Sequence, residues 1–222
     1  MSLLGVLMLD TQFPRPRGDI GNPDTFARLQ IPVRYRTVIG ASPQRVVRDG
    51  AALALQDFIA AAQDLVGQGA SLIATSCGFL ARYQRELQAA VPVPLLTSSL
   101  LWLREPELAQ QRCAVLTIDA LAFDSGQLSG VGADPATPVT GVAPGCEFQR
   151  CILGNEIAMD LRQAEQDVVT GALALTGAHP EVTTLVLECT NMPPYAAAVA
   201  AATAKRVEHL VSLIEKKWSA LA

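Results

Sequence analysis

Short apolar runs alternate along this chain with longer stretches in which apolar residues recur every three or four positions. The runs "LLGVLMLD" (3–10), "VRYRTVIG" (33–40), "ASLIATS" (70–76), "PVPLLT" (92–97), "CAVLTID" (113–119), "TPVTGVA" (137–143) and "TTLVLE" (183–188) read as strands. Several are continuously apolar, as expected of parallel strands covered on both faces. Between them, Ala-, Leu- and Gln-rich stretches at 48–67, 79–89, 156–177 and 195–220 read as helices. This order predicts an α/β protein built on mainly parallel sheets with right-handed crossovers.

The pattern also repeats. "GVLMLD" (5–10) lines up with "AVLTID" (114–119), each closing on an aspartate, Asp10 or Asp119. "SLIATSC" lines up with the run before Cys189, so that Cys77 falls on Cys189. The offsets are 109 and 112 residues, about half the chain. Two topologically similar α/β halves are therefore expected, 1–98 and 99–222, with the active site in the cleft between them. "PELAQQRC" is expected to carry the chain across, and a long helix over 195–220 to pack back on the first half.

Composition narrows the class. The chain has 222 residues, half of them hydrophobic and 17% charged, which excludes disorder and supports a sizeable core. A net charge of −4 leaves no electrostatic footprint for nucleic acid or an anionic membrane. The first residues, "MSLLGVLMLDTQ", do not read as a signal peptide, and no run reaches the ~20 apolar residues of a membrane span. A soluble, cytoplasmic protein is the expectation.

Five cysteines, at 77, 113, 146, 151 and 189, suit free thiols rather than a disulfide framework. With no Cys-x-x-Cys pair, and with His179 and His209 out of register with the cysteines, neither a metal nor any other cofactor is expected. Cys113, Cys146 and Cys151 read as small buried hydrophobes or loop residues. Cys77 and Cys189 differ because each stands at the carboxyl end of a predicted strand, where open parallel sheets bind ligands. A helix starting just beyond would favour the thiolate. Across a pseudo-twofold cleft, the two sulfurs would serve as opposed acid and base. The flanking Thr75, Ser76, Thr190 and Asn191 are suited to holding a carboxylate.

With these residues in place, the chain resembles the aspartate/glutamate/hydantoin racemase superfamily. The likeness lies in "VLMLDTQFPRPRGDIGNP", "ATSCGFL" and "LECTNMPPYAAAV". It implies two flavodoxin-like halves and cofactor-independent racemisation or epimerisation of an amino acid or its derivative. Cys77 and Cys189 would be the acid/base pair. Asp10, Thr75, Ser76, Gly78, Thr190 and Asn191 would line the pocket for a small carboxylate or amide substrate. A homo-oligomer is compatible with this reading. Two departures narrow it. Gly78-Phe79 replaces the Asn-Thr that follows the first cysteine in amino-acid racemases of the family, which points to a bulkier or more apolar substrate. Asn191 replaces the histidine of glutamate racemases and cannot titrate near neutral pH.

Glu188 closes a buried strand, so it is expected either to hydrogen-bond to backbone or Arg, or to orient the second thiol. In the second case its charge would raise Cys189 and keep that thiol the acid while Cys77 acts as base. The loop 14–23 reads as a turn-rich segment or as a flap, with Arg15 or Arg17 meeting an anionic substrate. "GQLSGVG" (126–132) lacks the strand-to-helix setting of a dinucleotide loop. The rival readings are a maleate isomerase or an arylmalonate decarboxylase on the same scaffold, the latter with a single cysteine, and a non-catalytic carboxylate-binding protein.

Overall fold

The computed structural model describes residues 2–49 and 54–221. Two four-stranded, all-parallel sheets form the frame. The first runs in the order β2-β1-β3-β4, from β1 (Leu4–Leu9), β2 (Val33–Val38), β3 (Leu72–Thr75) and β4 (Leu95–Leu96). The second runs β6-β5-β7-β8, from β5 (Cys113–Thr117), β6 (Val139–Gly141), β7 (Thr184–Leu187) and β8 (Arg206–Glu208). The identical order is the structural form of the sequence repeat, with β1 matching β5 and β3 matching β7. Every residue of β1, β3 and β7 is buried, as continuous apolar runs require between two helical layers.

The helices are α1 (Pro23–Ala27), α2 (Leu55–Gly67), α3 (Gln84–Ala89), α4 (Ser125–Gly130), α5 (Glu147–Gly154), α6 (Leu161–Ala178), α7 (Ala196–Thr203) and α8 (Leu210–Ser219). The sequence reading does not mark α1, α4 or α5. Its helix over 79–89 is a 3-10 turn (Gly78–Tyr83) followed by α3, and it differs further in three long stretches. The stretch 195–220 is not one helix. It stops at Ala204 in the left-handed region (φ 53°), and Arg206–Glu208 pair with β7 before α8 begins. Open hydrogen-bonding positions along β7 recruit this short strand, which the alanine-rich run gives no sign of. The stretch 48–67 becomes a π-helical turn over Gln44–Arg48 and then α2, with 50–53 outside the described residues. The helix read at 156–177 starts at Leu161, where the Asp160 carboxylate accepts from the N–H groups of Arg162 and Gln163.

Two buried clusters tie the halves together. In one, Leu210, Val211, Leu213 and Ile214 of α8 pack with Leu4, Val6, Phe26 and Leu72 of the first half and Val115 and Val186 of the second. The other joins Leu7, Leu9 and Phe58 to Leu116, Leu187 and Val199. Among the described residues no helix is long and apolar enough to cross a membrane.

Candidate active site

Cys77 and Cys189 each follow the last residues of a central strand, β3 and β7, and both open into one cleft. The parallel register makes Leu7 and Leu116 the neighbours of Thr75 and Leu187, so the two strand ends reach the cleft at matching depth. The first half contributes Leu9, Phe13, Pro43, Val47, Ser76, Gly78 and Phe79. The second contributes Ile118, Ile152, Leu153, Glu188, Thr190 and Asn191. The cleft holds about 340 Å³ of space, counting its mouth. Its walls are mostly apolar, and none of the described residues lining it is Lys, Arg or His.

Of the sequence-derived site residues, Cys77, Ser76, Gly78, Cys189, Thr190 and Asn191 meet here, while Asp10 and Thr75 do not. The strand alternation that turns Leu9 toward the cleft turns Asp10 away, and its exposed carboxylate accepts from the Gly40 N–H at 3.0 Å. The Thr75 hydroxyl points toward the β4 side and donates to the Thr97 carbonyl at 2.7 Å. The Thr190 hydroxyl ties the halves together by donating to the Ser76 carbonyl at 2.6 Å, while Ser76 Oγ stays within the first half and accepts from the Leu9 N–H at 2.8 Å. Sequence reasoning did not find Phe13, Pro43, Val47, Ile118, Ile152 and Leu153, because apolar residues of helices, loops and strand ends look the same whether they face a core or a ligand.

The thiols sit in different settings. Backbone N–H groups favour both thiolates, those of Phe79 and Leu80 at Cys77 and that of Asn191 at Cys189. Cys189 differs in that it also donates to Asn191 Oδ1 at 3.6 Å. The Asn191 amide cannot turn over, since its Nδ2 donates to Asp19 Oδ2 at 2.6 Å. Asp19 is itself buried and holds Arg15 at 2.7 Å and the Gly21 N–H at 2.7 Å. The amide therefore presents an acceptor to Cys189 and keeps that sulfur protonated.

This network also locates the loop 14–23. It lies folded against the second half, with Gly18 (φ 103°) placed where a Cβ would come within 2.9 Å of Pro194 Cα. Arg15 does not point a free charge into the cleft. It is engaged by Asp19 and by the Thr11 hydroxyl, 4.4 Å above the Phe13 ring. Arg17 lies at the surface with Asp24.

Burial pushes the Cys77 thiol up to about 12, with the nearby Glu188 charge adding to the effect. Burial and then Glu188 likewise push Cys189 well above the ordinary thiol value. Glu188 thus raises both sulfurs and does not single out Cys189, contrary to the sequence-based expectation. The asymmetry comes from the Asn191 side-chain oxygen, which accepts from Cys189 alone. Glu188 is fully buried, and that burial pushes its carboxyl up to about 7. One of its oxygens, Oε2, accepts from the Thr117 hydroxyl at 2.8 Å, and the other has no partner. Among the described residues no three His, Cys, Asp or Glu side chains converge to hold a metal ion.

No family profile matches the chain. Among curated proteins it is 28% identical over 216 residues to a dimethylsulfoniopropionate lyase of Durusdinium sp. clade D, an alignment covering 90% of this chain and 68% of the relative. It is 29% identical over 224 residues to dimethylsulfoniopropionate lyase 3 of Emiliania huxleyi, covering 90% of this chain and 55% of the relative. The chain thus spans about half to two thirds of the length of these relatives. Among solved structures, a glutamate racemase from Bacillus anthracis superposes with a TM-score of 0.62 at 16% identity, over 99% of this chain and 81% of the other. The aspartate racemase of Picrophilus torridus gives 0.57 at 14%, over 93% and 88%. Arylmalonate decarboxylase gives 0.59 at 14%, over 92% and 85%. The fold is that of the aspartate/glutamate racemases and arylmalonate decarboxylase.

Proposed function

We propose that this chain is a cofactor-independent enzyme that removes a proton from a carbon next to a carboxylate, and that its turnover is β-elimination from a 3-onium propionate such as dimethylsulfoniopropionate. The observation that carries this reading is the composition of the cleft. Two thiols stand among apolar walls with one carboxyl group, and no basic side chain lines the described part of it. A substrate with a second carboxylate, such as glutamate or an arylmalonate, would bury that charge against apolar groups and Glu188 at a high cost. A sulfonium zwitterion brings its own positive charge, and its methyl groups suit the Phe13 and Phe79 rings. The similarity to dimethylsulfoniopropionate lyases over nine tenths of the chain supports the same choice.

In this reading the Cys77 thiolate takes the proton from the carbon beside the carboxylate. The electron pair of that C–H bond becomes the new C=C bond of acrylate. The C–S bond breaks with its electrons going to sulfur, so dimethyl sulfide leaves neutral and needs no acid. The proton on Cys77 then passes to solvent. Cys189, held as a thiol by Asn191, guards the opposite face. That second, proton-bearing sulfur favours a second reading, racemisation, in which Cys189 would return a proton to the carbanion.

The test is a substrate panel in D₂O: dimethylsulfoniopropionate, both enantiomers of aspartate and glutamate, hydantoins and 2-arylmalonates. Acrylate and dimethyl sulfide released together from the first would support the lyase. Stereochemical change with deuterium at the α-carbon, and no acrylate, would replace it with a racemase. Because the base is a thiol, turnover is expected to persist in EDTA and to be lost on thiol alkylation, with bound substrate protecting. A loss in EDTA restored by a divalent ion would contradict the mechanism.

A further inference from the structure

We propose that the unpartnered Oε1 of Glu188 is the counter-ion for the positively charged group of the substrate, which makes Glu188 a specificity-determining residue. This rests on the reading of an onium substrate given above.

The repeat supplies the first argument. Aligning Cys77 with Cys189 puts Ser76 opposite Glu188. Ser76 finishes its strand locally, its Oγ taking the Leu9 N–H. A short hydroxyl is enough to close the strand end, so nothing about the fold calls for a longer charged group at the matching position. Glu188 has a first oxygen satisfied by Thr117 and a second that nothing in the protein satisfies, although the residue is fully buried. A carboxylate with a purely structural role has its oxygens bonded.

Gly78 supplies the second argument. A Cβ at this position would overlap both Oε1 and the backbone carbonyl oxygen of Glu188. The carboxyl group therefore lies directly over Gly78, between the segments that carry the two thiols, and only a glycine leaves it that space. The departure from the Asn-Thr pattern after the first cysteine and the presence of a glutamate before the second are thus one steric unit.

The third argument is charge. The groups near Glu188 are the Thr117 hydroxyl of β5 and the Cys77 and Cys189 thiols, while Arg15 and Asp19 of the loop after β1 act on the thiols rather than on Glu188. Arg15 and Asp19 hold each other. No cation of the described protein balances Glu188, so a bound onium would. Binding would then favour the ionised carboxyl and release a proton where Glu188 was protonated. It would also cancel the charge that raises both thiols, so that the substrate promotes the thiolate that attacks it.

Two unreactive isosteres of the proposed substrate test this on the full chain. 4-Methylpentanoate has an uncharged branched end, and 3-(dimethylammonio)propanoate carries a cation in the same place. Calorimetric titration of the wild type is expected to show a preference for the cation of about 10-fold or more at pH 8, the value of one charge-assisted contact. That preference should shrink below pH 7 as Glu188 takes up its proton. In Glu188→Gln the two ligands should bind about equally at every pH, with 4-methylpentanoate unchanged. KM for the onium substrate should rise in parallel. Glu188→Asp should keep part of the preference.

A cation preference unchanged in Glu188→Gln, or none in the wild type, would overturn the proposal. The wild-type pH series stands alone if the variants fail to fold. A preference that depends on Glu188, without acrylate release from any onium, would retain the counter-ion and discard the elimination. Acrylate release with equal KM in wild type and Glu188→Gln would do the reverse.

Discussion

Cys77 and Cys189 occupy equivalent strand ends, yet their neighbours differ, and the proposed elimination would give them unequal tasks. Backbone N–H groups favour both thiolates, but an amide oxygen locked by Asp19 accepts from Cys189 alone. Elimination with a neutral leaving group needs the base alone. Cys77→Ser should therefore lower acrylate release at least ~10²-fold, the scale of one general base, whereas Cys189→Ser should cost about 10-fold or less. Initial rates of acrylate release, followed by proton NMR, check this. Equal losses in both would favour two-base racemisation. Glu188 supplies a stability prediction of definite sign. Its folded value, about 7, lies above the ordinary 4.5, so the folded state keeps a proton that the unfolded chain has lost. Its contribution is fully present below pH 4.5 and is lost as pH rises through 7, a change on the order of 3 kcal/mol. Denaturant titrations between pH 4.5 and 8 should show that decline in the wild type and a flatter profile in Glu188→Gln.

At the scale of elements, the loop between β1 and α1 matters most, because it fastens the Asn191 amide to the first half. Asp19 is buried between Arg15 and Asn191. Asp19→Ala leaves the Arg15 charge without its partner and should destabilise by roughly 3–5 kcal/mol. Asp19→Asn, which retains the shape, is expected to fold and to show faster amide exchange over 14–22 together with lower activity. Exchange rates equal to wild type would remove this loop from the control of Cys189. The strand-to-helix turn after β3 carries a different demand. Gly78→Ala would force Glu188 and its backbone away, at a cost of about 1–3 kcal/mol from overpacking, and should lose activity more steeply than stability. Thermal melts beside initial rates measure the two separately.

For the whole molecule, α8 closes the interface between the halves. Leu213 is fully buried in a cluster drawn from both sheets. Leu213→Ala should cost ~2–5 kcal/mol and lower the midpoint of a single cooperative transition rather than split it into two. On α8, the ion pairs of Lys216 with Glu105 and Glu107 and of Lys217 with Glu105 are partly exposed and contribute little by comparison. Two unfolding steps in calorimetry would show that the halves are independent.

What the sequence determined by itself follows from local periodicity and from repetition. Short apolar runs, several of them continuous, define seven of the eight strands, and the repeat pairs the ends of β3 and β7, which brings Cys77 and Cys189 to matching positions. Adjacency to those ends marks Thr75, Ser76, Thr190 and Asn191, of which all but Thr75 line the cleft, while Gly78 is implied only by the family resemblance. Tertiary structure decided the rest, because it depends on contacts between residues far apart in the chain. β8 exists because β7 offers it an edge, and Asp10 and Thr75 turn away because partners in neighbouring strands and turns take their polar groups. Asn191 is oriented by Asp19, 172 positions away. Glu188 has room because Gly78 lies opposite, and its missing partner is visible only once the protein groups around it are in place.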